Sequence, residues 1–151
     1  MEIVCSTDSK YIMPTGIMLT SLFESNRGEV VNVHLLHDQD SAVLLDSIRT
    51  IAARYQQNIH FYLINDDIFK HFPIGLDFQV DHVGTSFATY YRLYLTEILP
   101  ADIDKVIYLD GDILVVDKLV KLWNTSVENY AIAAVPDSYN NKIEHYNRLR
   151  Y

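Results

Sequence analysis

The sequence contains a single cysteine, Cys5, among its 151 residues. One thiol can form neither an internal disulfide nor a zinc site made of several cysteines, which favours a reducing compartment. The five glycines and four prolines are too few for a collagen-like or low-complexity chain. No stretch of about 20 apolar residues occurs, and the N-terminus lacks the basic segment of a secretory signal. We therefore expect a soluble, cytoplasmic protein.

Basic residues are also scarce. Lys and Arg number 12 against 20 Asp and Glu, which gives a net charge of −8 at pH 7. This balance disfavours non-specific binding to nucleic acids or anionic membranes and is compatible with binding a divalent cation. The length and a hydrophobic content of 49% predict one globular domain over residues 1–151.

The hydrophobic pattern predicts alternating strands and helices. The first part of the chain is predicted to contain strands at 1–5, 30–37 and 58–64 and helices at 14–24 and 41–55. This βαβαβ order is typical of an α/β fold with a parallel sheet flanked by helices. The rest is predicted to contain a short helix at 66–71, a loop at 73–83, a helix at 84–99, strands at 105–109, 113–116 and 130–135, a short helix at 119–123 and a helical tail.

The segment Asp110-Gly111-Asp112 is the strongest candidate for chemistry, because two carboxylates lie between apolar predicted strands. Hard divalent cations prefer oxygen ligands and can bridge to phosphate oxygens. The position after a strand is where open α/β sheets bind ligands. We expect Gly111 to let the backbone bend more tightly than a regular strand. The alternative is a solvated turn, since Asp-Gly is a common hairpin dipeptide.

Two further residues have competing interpretations. Asp8 follows the first strand, where it could accept hydrogen bonds from a base or ribose or could cap the next helix. Arg92 could reach a phosphate or carboxylate, or could form a surface pair with Glu97 or another acid. Tyr91 and Tyr94 are expected to pack the same predicted helix against the sheet.

Taken together, these motifs resemble the family 8 retaining glycosyltransferases, which include lipopolysaccharide galactosyl- and glucosyltransferases and glycogenin. The resemblance extends from Met1 to about Pro136. Its order and spacing make it far more specific than the two aspartates alone. The stretches that carry it are residues 3–8, 18–22, 88–93, 104–112 and 121–123.

The resemblance implies a nucleotide-diphospho-sugar transferase fold of the glycosyltransferase A type, Rossmann-like, and dependence on Mn²⁺, with Mg²⁺ as the alternative. It implies that Asp110 and Asp112 ligate the metal beside the diphosphate. The other residues implied to bind the nucleotide sugar are Ser6, Asp8 and Tyr11 for the uridine, Arg92 for the sugar or a phosphate, and Gly111 within the metal-binding segment.

The implied reaction transfers a hexose from UDP-glucose or UDP-galactose, with retention, to a saccharide or glycolipid acceptor such as lipopolysaccharide. The family domain is nearly twice this long, and its remaining part supplies a histidine as the third metal ligand. Two hypotheses follow: a hexosyltransferase, with a location at the inner membrane, or a nucleotide-sugar-binding or assembly module that self-associates through an uncovered face. A phosphatase-like hydrolase would instead carry its Asp-x-Asp after the first strand.

Overall fold

The computed structural model of the protein describes residues 1–38, 42, 44–72 and 86–135. Within these ranges the strands form one parallel four-stranded sheet in the order β3-β2-β1-β4. The strands are β1 (Glu2–Thr7), β2 (Asn32–His37), β3 (Asn58–Leu63) and β4 (Ile107–Tyr108). The helices are α1 (Ile12–Ser25), α2 (Leu45–Arg54), α3 (Leu95–Ile98) and α4 (Val120–Trp123), with 3-10 helices at Asp66–Phe69 and Phe87–Tyr94. The predicted α/β class is confirmed.

The sheet is covered on both faces, because successive side chains of a strand point to opposite sides. One face packs under α1 and α2, and its buried core includes Ile3, Cys5, Met18, Leu22, Val33, Leu35 and Ile48. The other face packs against the 3-10 helices through Val4, Leu36, Phe69, Ala88 and Tyr91. Burial raises the pKa of the Cys5 thiol to about 12, so this cysteine acts as a small core residue. No helix in the described ranges is long and apolar enough to cross a bilayer.

The segment at 113–116 is irregular, so the predicted second half of a strand there is wrong. Its backbone is paired with side chains of α1 instead of with another strand. The Val115 amide donates to Ser21 Oγ at 3.0 Å, and Ser25 Oγ donates to the Val115 carbonyl at 2.8 Å. These hydroxyls satisfy the polar groups that a sheet ladder would otherwise satisfy.

Three other predicted elements differ from the structure. The strand at 105–109 is shortened to Ile107–Tyr108. Within the predicted helix at 84–99, the described residues form a 3-10 helix at Phe87–Tyr94 that passes into α3. The 3-10 period of three places Ala88, Tyr91 and Tyr94 along one side, which packs on the sheet. Residues 130–135 form no strand, and none of the four described strands pairs with their backbone. The loop at 73–83, part of the helix at 41–55 and the helical tail lie outside the described residues.

Asn26 joins the end of α1 to the segment that leads into α4. Its side chain is fully buried. The amide nitrogen donates to the Leu22 carbonyl at 2.8 Å, and the amide oxygen accepts from the Leu119 backbone N–H at 2.8 Å. Both ends of the amide are therefore used in holding the two elements together.

We expect Asn26→Ala to lower the free energy of unfolding by about 1–3 kcal/mol, because the partly buried Leu119 N–H would lose its partner. Urea unfolding would measure the change. Asn129→Ala, at an exposed position, is the matched control and should change stability by less than about 0.5 kcal/mol. Equal losses in the two variants would contradict the role given to Asn26.

A polar network lies at the amino ends of the strands. Glu2 Oε2 is 2.9 Å from Nε2 of the buried His34, and Asn32 donates to Glu2 Oε1 at 2.7 Å. The Tyr62 hydroxyl lies 2.9 Å from the other ring nitrogen of His34. Burial tends to raise the pKa of the Glu2 carboxyl, but the hydrogen bonds with His34 and Asn32 outweigh it, and the pKa is lowered overall.

This lowered pKa predicts a pH dependence of stability. The Glu2 carboxylate contributes stability above its unfolded pKa of about 4.3, and this is lost as the pH falls through the lower folded value. We expect Glu2→Gln to lower the free energy of unfolding by about 1 kcal/mol near neutral pH and to reduce its decline on acidification. Denaturation series at several pH values would measure this, with the exposed Glu97→Gln as control. An acid decline in Glu2→Gln as steep as in the wild type would contradict the prediction.

Candidate functional site

The predicted site residues lie near the point at which the strand order of the sheet reverses. Strands β1, β2 and β3 are adjacent in that order, and β4 pairs with the opposite edge of β1. Ligands of open α/β sheets bind outside the carboxyl ends of the strands at such a switch point. Ser6 and Asp8 lie at the end of β1, and Asp110 to Asp112 lie just beyond β4. We call this place the β1–β4 site.

Gly111 packs tightly between β1 and α1. A Cβ atom at this position would lie 2.6 Å from Thr15 Oγ1 and 3.5 Å from the Ser6 carbonyl oxygen. Gly111 has no positive φ angle. Residues 111 and 112 form a turn, so the expected bend is present. The close approach of the backbone to α1 gives a further reason for glycine at this position. The packing of Gly111 against Thr15 fixes the position of the segment 110–112, while the Asp110 and Asp112 side chains stay exposed.

Arg92 meets Asp110 in this site. Its Nη2 donates to Asp110 Oδ1 at 2.6 Å, and its Nε donates to the Thr89 carbonyl at 3.1 Å. The guanidinium carbon also lies 4.5 Å from the centroid of the Tyr108 ring. The sequence left open whether Arg92 pairs with Glu97 or with another acid, and the structure shows that its partner is Asp110. This ion pair also places Arg92 in the candidate site.

Asp8 caps the turn that leads into α1. One carboxylate oxygen accepts from the backbone N–H groups of Lys10 at 2.8 Å and Tyr11 at 2.9 Å. Asp8 is buried, whereas Tyr11 is 37% exposed beside it. Asp8 therefore stabilises the turn, whereas the N-cap of α1 is Tyr11, which has no side-chain cap hydrogen bond, so the predicted helix cap is wrong. The same contacts hold the carboxylate at the carboxyl edge of β1, so they are compatible with binding a nucleoside there.

Tyr91 packs on the sheet as predicted, and it has a polar role that the sequence did not reveal. Its hydroxyl donates a hydrogen bond to Asp66. The pKa of Tyr91 is raised, first by burial, then by this hydrogen bond, and then by the charges of Asp66, Asp38 and Asp8. The hydroxyl therefore stays protonated among carboxylates at the carboxyl ends of β1, β2 and β3.

Tyr108 is the residue of the β1–β4 site that sequence reasoning missed. Its hydroxyl lies 2.6 Å from Ser6 Oγ, and its ring lies under Arg92. Burial raises the pKa of Tyr108, while the hydrogen bond with Ser6 and the charge of Arg92 oppose this shift. The available signal was its place two residues before Asp110 in a predicted strand, which puts its side chain on the same side of that strand.

The two exposed carboxylates fit a magnesium or manganese ion. Such ions are usually held by one or two carboxylates together with substrate phosphates and water, rather than by a full set of protein ligands. No group of three or more potential ligands occurs among residues 1–38, 42, 44–72 and 86–135. A cation held by Asp110 and Asp112 would therefore depend on further oxygen atoms, such as those of a diphosphate.

Comparisons with known proteins find relatives over most of the chain. The family model for glycosyl transferase family 8 matches residues 2–150. A putative glycosyltransferase of Haemophilus influenzae is 30% identical over 139 residues, or 92% of this chain and 40% of that protein. A lipopolysaccharide 1,2-glucosyltransferase of Escherichia coli K12 is 27% identical over 135 residues, or 89% of this chain and 38% of that protein.

Among solved structures, the galactosyltransferase LgtC in complex with donor and acceptor sugar analogues is similar with a TM-score of 0.68 and 32% identity. The similarity covers 83% of this chain and 42% of LgtC. The chain thus spans about two fifths of the length of these relatives. The shared architecture confirms the predicted fold of the glycosyltransferase A type. Since the family match covers nearly the whole chain, the protein belongs to glycosyl transferase family 8.

Proposed function

We propose that this chain is the donor-binding part of a retaining hexosyltransferase that binds a UDP-hexose together with Mn²⁺ or Mg²⁺. The observation that carries the proposal is the position of Asp110-Gly111-Asp112 at the switch point of the sheet, with Arg92 bonded to Asp110. Two carboxylates and one guanidinium at this edge suit a ligand with phosphate oxygens and hydroxyl groups.

The nucleoside would lie over the carboxyl end of β1. Tyr11 is partly exposed and offers a ring on which uracil can stack. Asp8 is fixed by backbone N–H groups and can accept from a base N–H or a ribose hydroxyl. Ser6 lies near the same end of β1. Its hydroxyl, which bonds to Tyr108, can also contact the uridine.

The diphosphate would lie beside Asp110 and Asp112. These residues would hold the divalent cation, which when bound supplies Lewis-acid stabilisation of the charge on the departing UDP. Arg92 uses Nε and Nη2 in its described contacts. A guanidinium has five N–H donors, so the others are available for a phosphate oxygen or a hexose hydroxyl.

The acceptor is proposed to be a saccharide or glycolipid, such as lipopolysaccharide or another cell-surface glycan. This proposal is supported by the name of the E. coli relative, a lipopolysaccharide glucosyltransferase, and by LgtC, which was solved with donor and acceptor sugar analogues. A glycolipid acceptor would place the reaction on the cytoplasmic side of the inner membrane. UDP-glucose and UDP-galactose are the proposed donors.

Calorimetric titration of UDP into the protein tests this function. We expect binding in Mn²⁺ that is lost or strongly weakened in EDTA. CDP provides a control for the base, since its exocyclic amine changes the hydrogen-bonding pattern that Asp8 would read. UDP affinity that is the same in Mn²⁺ and in EDTA would contradict the proposed metal–diphosphate site, and no binding in either buffer would contradict the nucleotide site.

A second candidate function is self-association as an assembly module. It is favoured by the apolar side chains of residues 130–135, of which Tyr130, Ile132 and Val135 are 73%, 81% and 91% exposed. Large apolar surfaces of this kind commonly mediate association. Light scattering over a range of concentrations tests it, and a monomer at the highest concentration would contradict it.

A further inference from the structure

Tyr108 lies between the two ends of the β1–β4 site. It pairs with Val4 in the sheet, and its side chain shares a face with Ser6, two residues further along β1. Its hydroxyl reaches Ser6 Oγ, and its ring supports Arg92. We infer that Tyr108 is a positioning residue of the donor site, which fixes Ser6 at the nucleoside end and Arg92 at the sugar–diphosphate end. This inference rests on the proposed function.

Arg92 is a partly exposed side chain that two neighbours hold in one place. Its side chain is 40% exposed and that of Asp110 is 53% exposed, so their ion pair alone is weak in water. A free arginine also samples many rotamers, and restricting them is unfavourable. The Tyr108 ring belongs to the sheet and offers a fixed surface 4.5 Å from the guanidinium carbon. The ring and the Asp110 carboxylate together keep Arg92 oriented before a ligand arrives.

The Ser6 hydroxyl is oriented by its hydrogen bond with Tyr108. Ser6 is on β1 and Tyr108 is on β4, so the 2.6 Å hydrogen bond between them joins neighbouring strands at their carboxyl ends. A serine hydroxyl rotates freely unless a partner selects its direction. The Tyr108 hydroxyl is that partner, and the ring of the same side chain supports Arg92. One side chain therefore aligns both ends of the site.

Two substitutions separate the two contacts. Tyr108→Phe removes the hydroxyl and keeps the ring, whereas Tyr108→Leu removes both. Tyr62→Phe is a matched control, because Tyr62 lies on the same face of the sheet and bonds to His34, away from this site. Circular dichroism and thermal unfolding would establish that each variant is folded.

The first measurement needs no ligand. The Nε–H signal of Arg92 in a ¹⁵N NMR spectrum reports whether the guanidinium is held. We expect the signal to persist in the wild type, in Tyr108→Phe and in Tyr62→Phe. In Tyr108→Leu it should shift and broaden through exchange with water. An unchanged signal in Tyr108→Leu would overturn the positioning role for Arg92.

The second measurement is calorimetric titration of UDP-glucose, UDP-galactose and UDP in Mn²⁺. We expect Tyr108→Leu to weaken binding of the better UDP-hexose about fivefold or more. Tyr108→Phe should weaken UDP and the UDP-hexose equally, by about two- to fivefold, because only the Ser6 contact is lost. Tyr62→Phe should bind as the wild type does. Wild-type affinities in both Tyr108 variants would overturn the inference.

The two measurements distinguish failure of this inference from failure of the proposed function. If the wild type binds none of the three nucleotides, the proposed function is overturned, and with it the donor-site role of Tyr108. The NMR experiment still decides whether the ring positions Arg92. If the wild type binds but neither Tyr108 variant differs from it, the proposed function stands and Tyr108 has no positioning role.

Discussion

Asp112→Asn is expected to weaken Mn²⁺-dependent UDP binding about 100-fold, equivalent to roughly 2.7 kcal/mol. The Asp112 side chain is exposed beyond β4, so the substitution should leave the fold intact. An amide keeps the shape of the side chain but removes the negative charge that balances a divalent cation beside a diphosphate. Calorimetric titration of UDP in Mn²⁺ measures the effect.

Two further variants provide a control and a second test of the metal site. Asp117→Asn changes another exposed aspartate of the same segment, whose carboxylate accepts from the Lys118 N–H, and it should bind UDP as the wild type does. Asp110→Asn should reproduce the loss and also weaken the contact with Arg92. In EDTA all variants should give equally weak binding. An Asp112→Asn titration that matches the wild type in Mn²⁺ would contradict the assignment of Asp112 to the metal.

Gly111→Ala is expected to lower the free energy of unfolding by about 1–3 kcal/mol. The added Cβ would lie 2.6 Å from Thr15 Oγ1, which is too close for any real contact. Thr15 is fully buried and donates to Thr7 Oγ1 at 3.0 Å, so it cannot easily move aside. The segment carrying Asp110 and Asp112 must then shift, and Mn²⁺-dependent UDP affinity should fall with stability.

A second substitution shows whether this clash is the cause. Thr15→Ala removes Oγ1, and the next contacts of the new Cβ, at 3.5 Å and 3.7 Å, are ordinary ones. Alone, Thr15→Ala should cost about 1 kcal/mol through the lost bond to Thr7. Combined with Gly111→Ala, it should recover about 1–2 kcal/mol relative to the sum of the single changes. Strict additivity in urea unfolding would show that the contact with Thr15 does not explain the need for glycine.

The sequence by itself determined the α/β class, the order of β1, α1, β2, α2 and β3, and the family. These features depend on local information: the spacing of apolar side chains, which residues follow each strand, and motifs in a particular order. The burial of Cys5 could be predicted because it follows the apolar Ile3 and Val4. The packing of Tyr91 could be predicted because apolar residues such as Ala88 and Leu95 recur with it along the predicted helix.

The tertiary structure decided how the site is assembled. Ser6 and Tyr108 are 102 residues apart in the chain and Arg92 and Asp110 are 18 apart, yet each pair is joined by a hydrogen bond of 2.6 Å. No local pattern encodes such pairs, because the first needs β4 beside β1 and the second needs the 3-10 helix Phe87–Tyr94 packed on the sheet.

The same reason explains a wrong prediction at Val115 and an incomplete one at Gly111. Val115 has the neighbours of a strand residue, but hydroxyl groups of α1 bind its backbone, and they reach it only after the helix has packed on the sheet. At Gly111 the expected turn is present, but the sequence did not reveal that Thr15 and the Ser6 carbonyl leave no space for a side chain. The physical reason is common to both positions: hydrogen-bond partners and free volume belong to the packed molecule, whereas periodicity belongs to the chain.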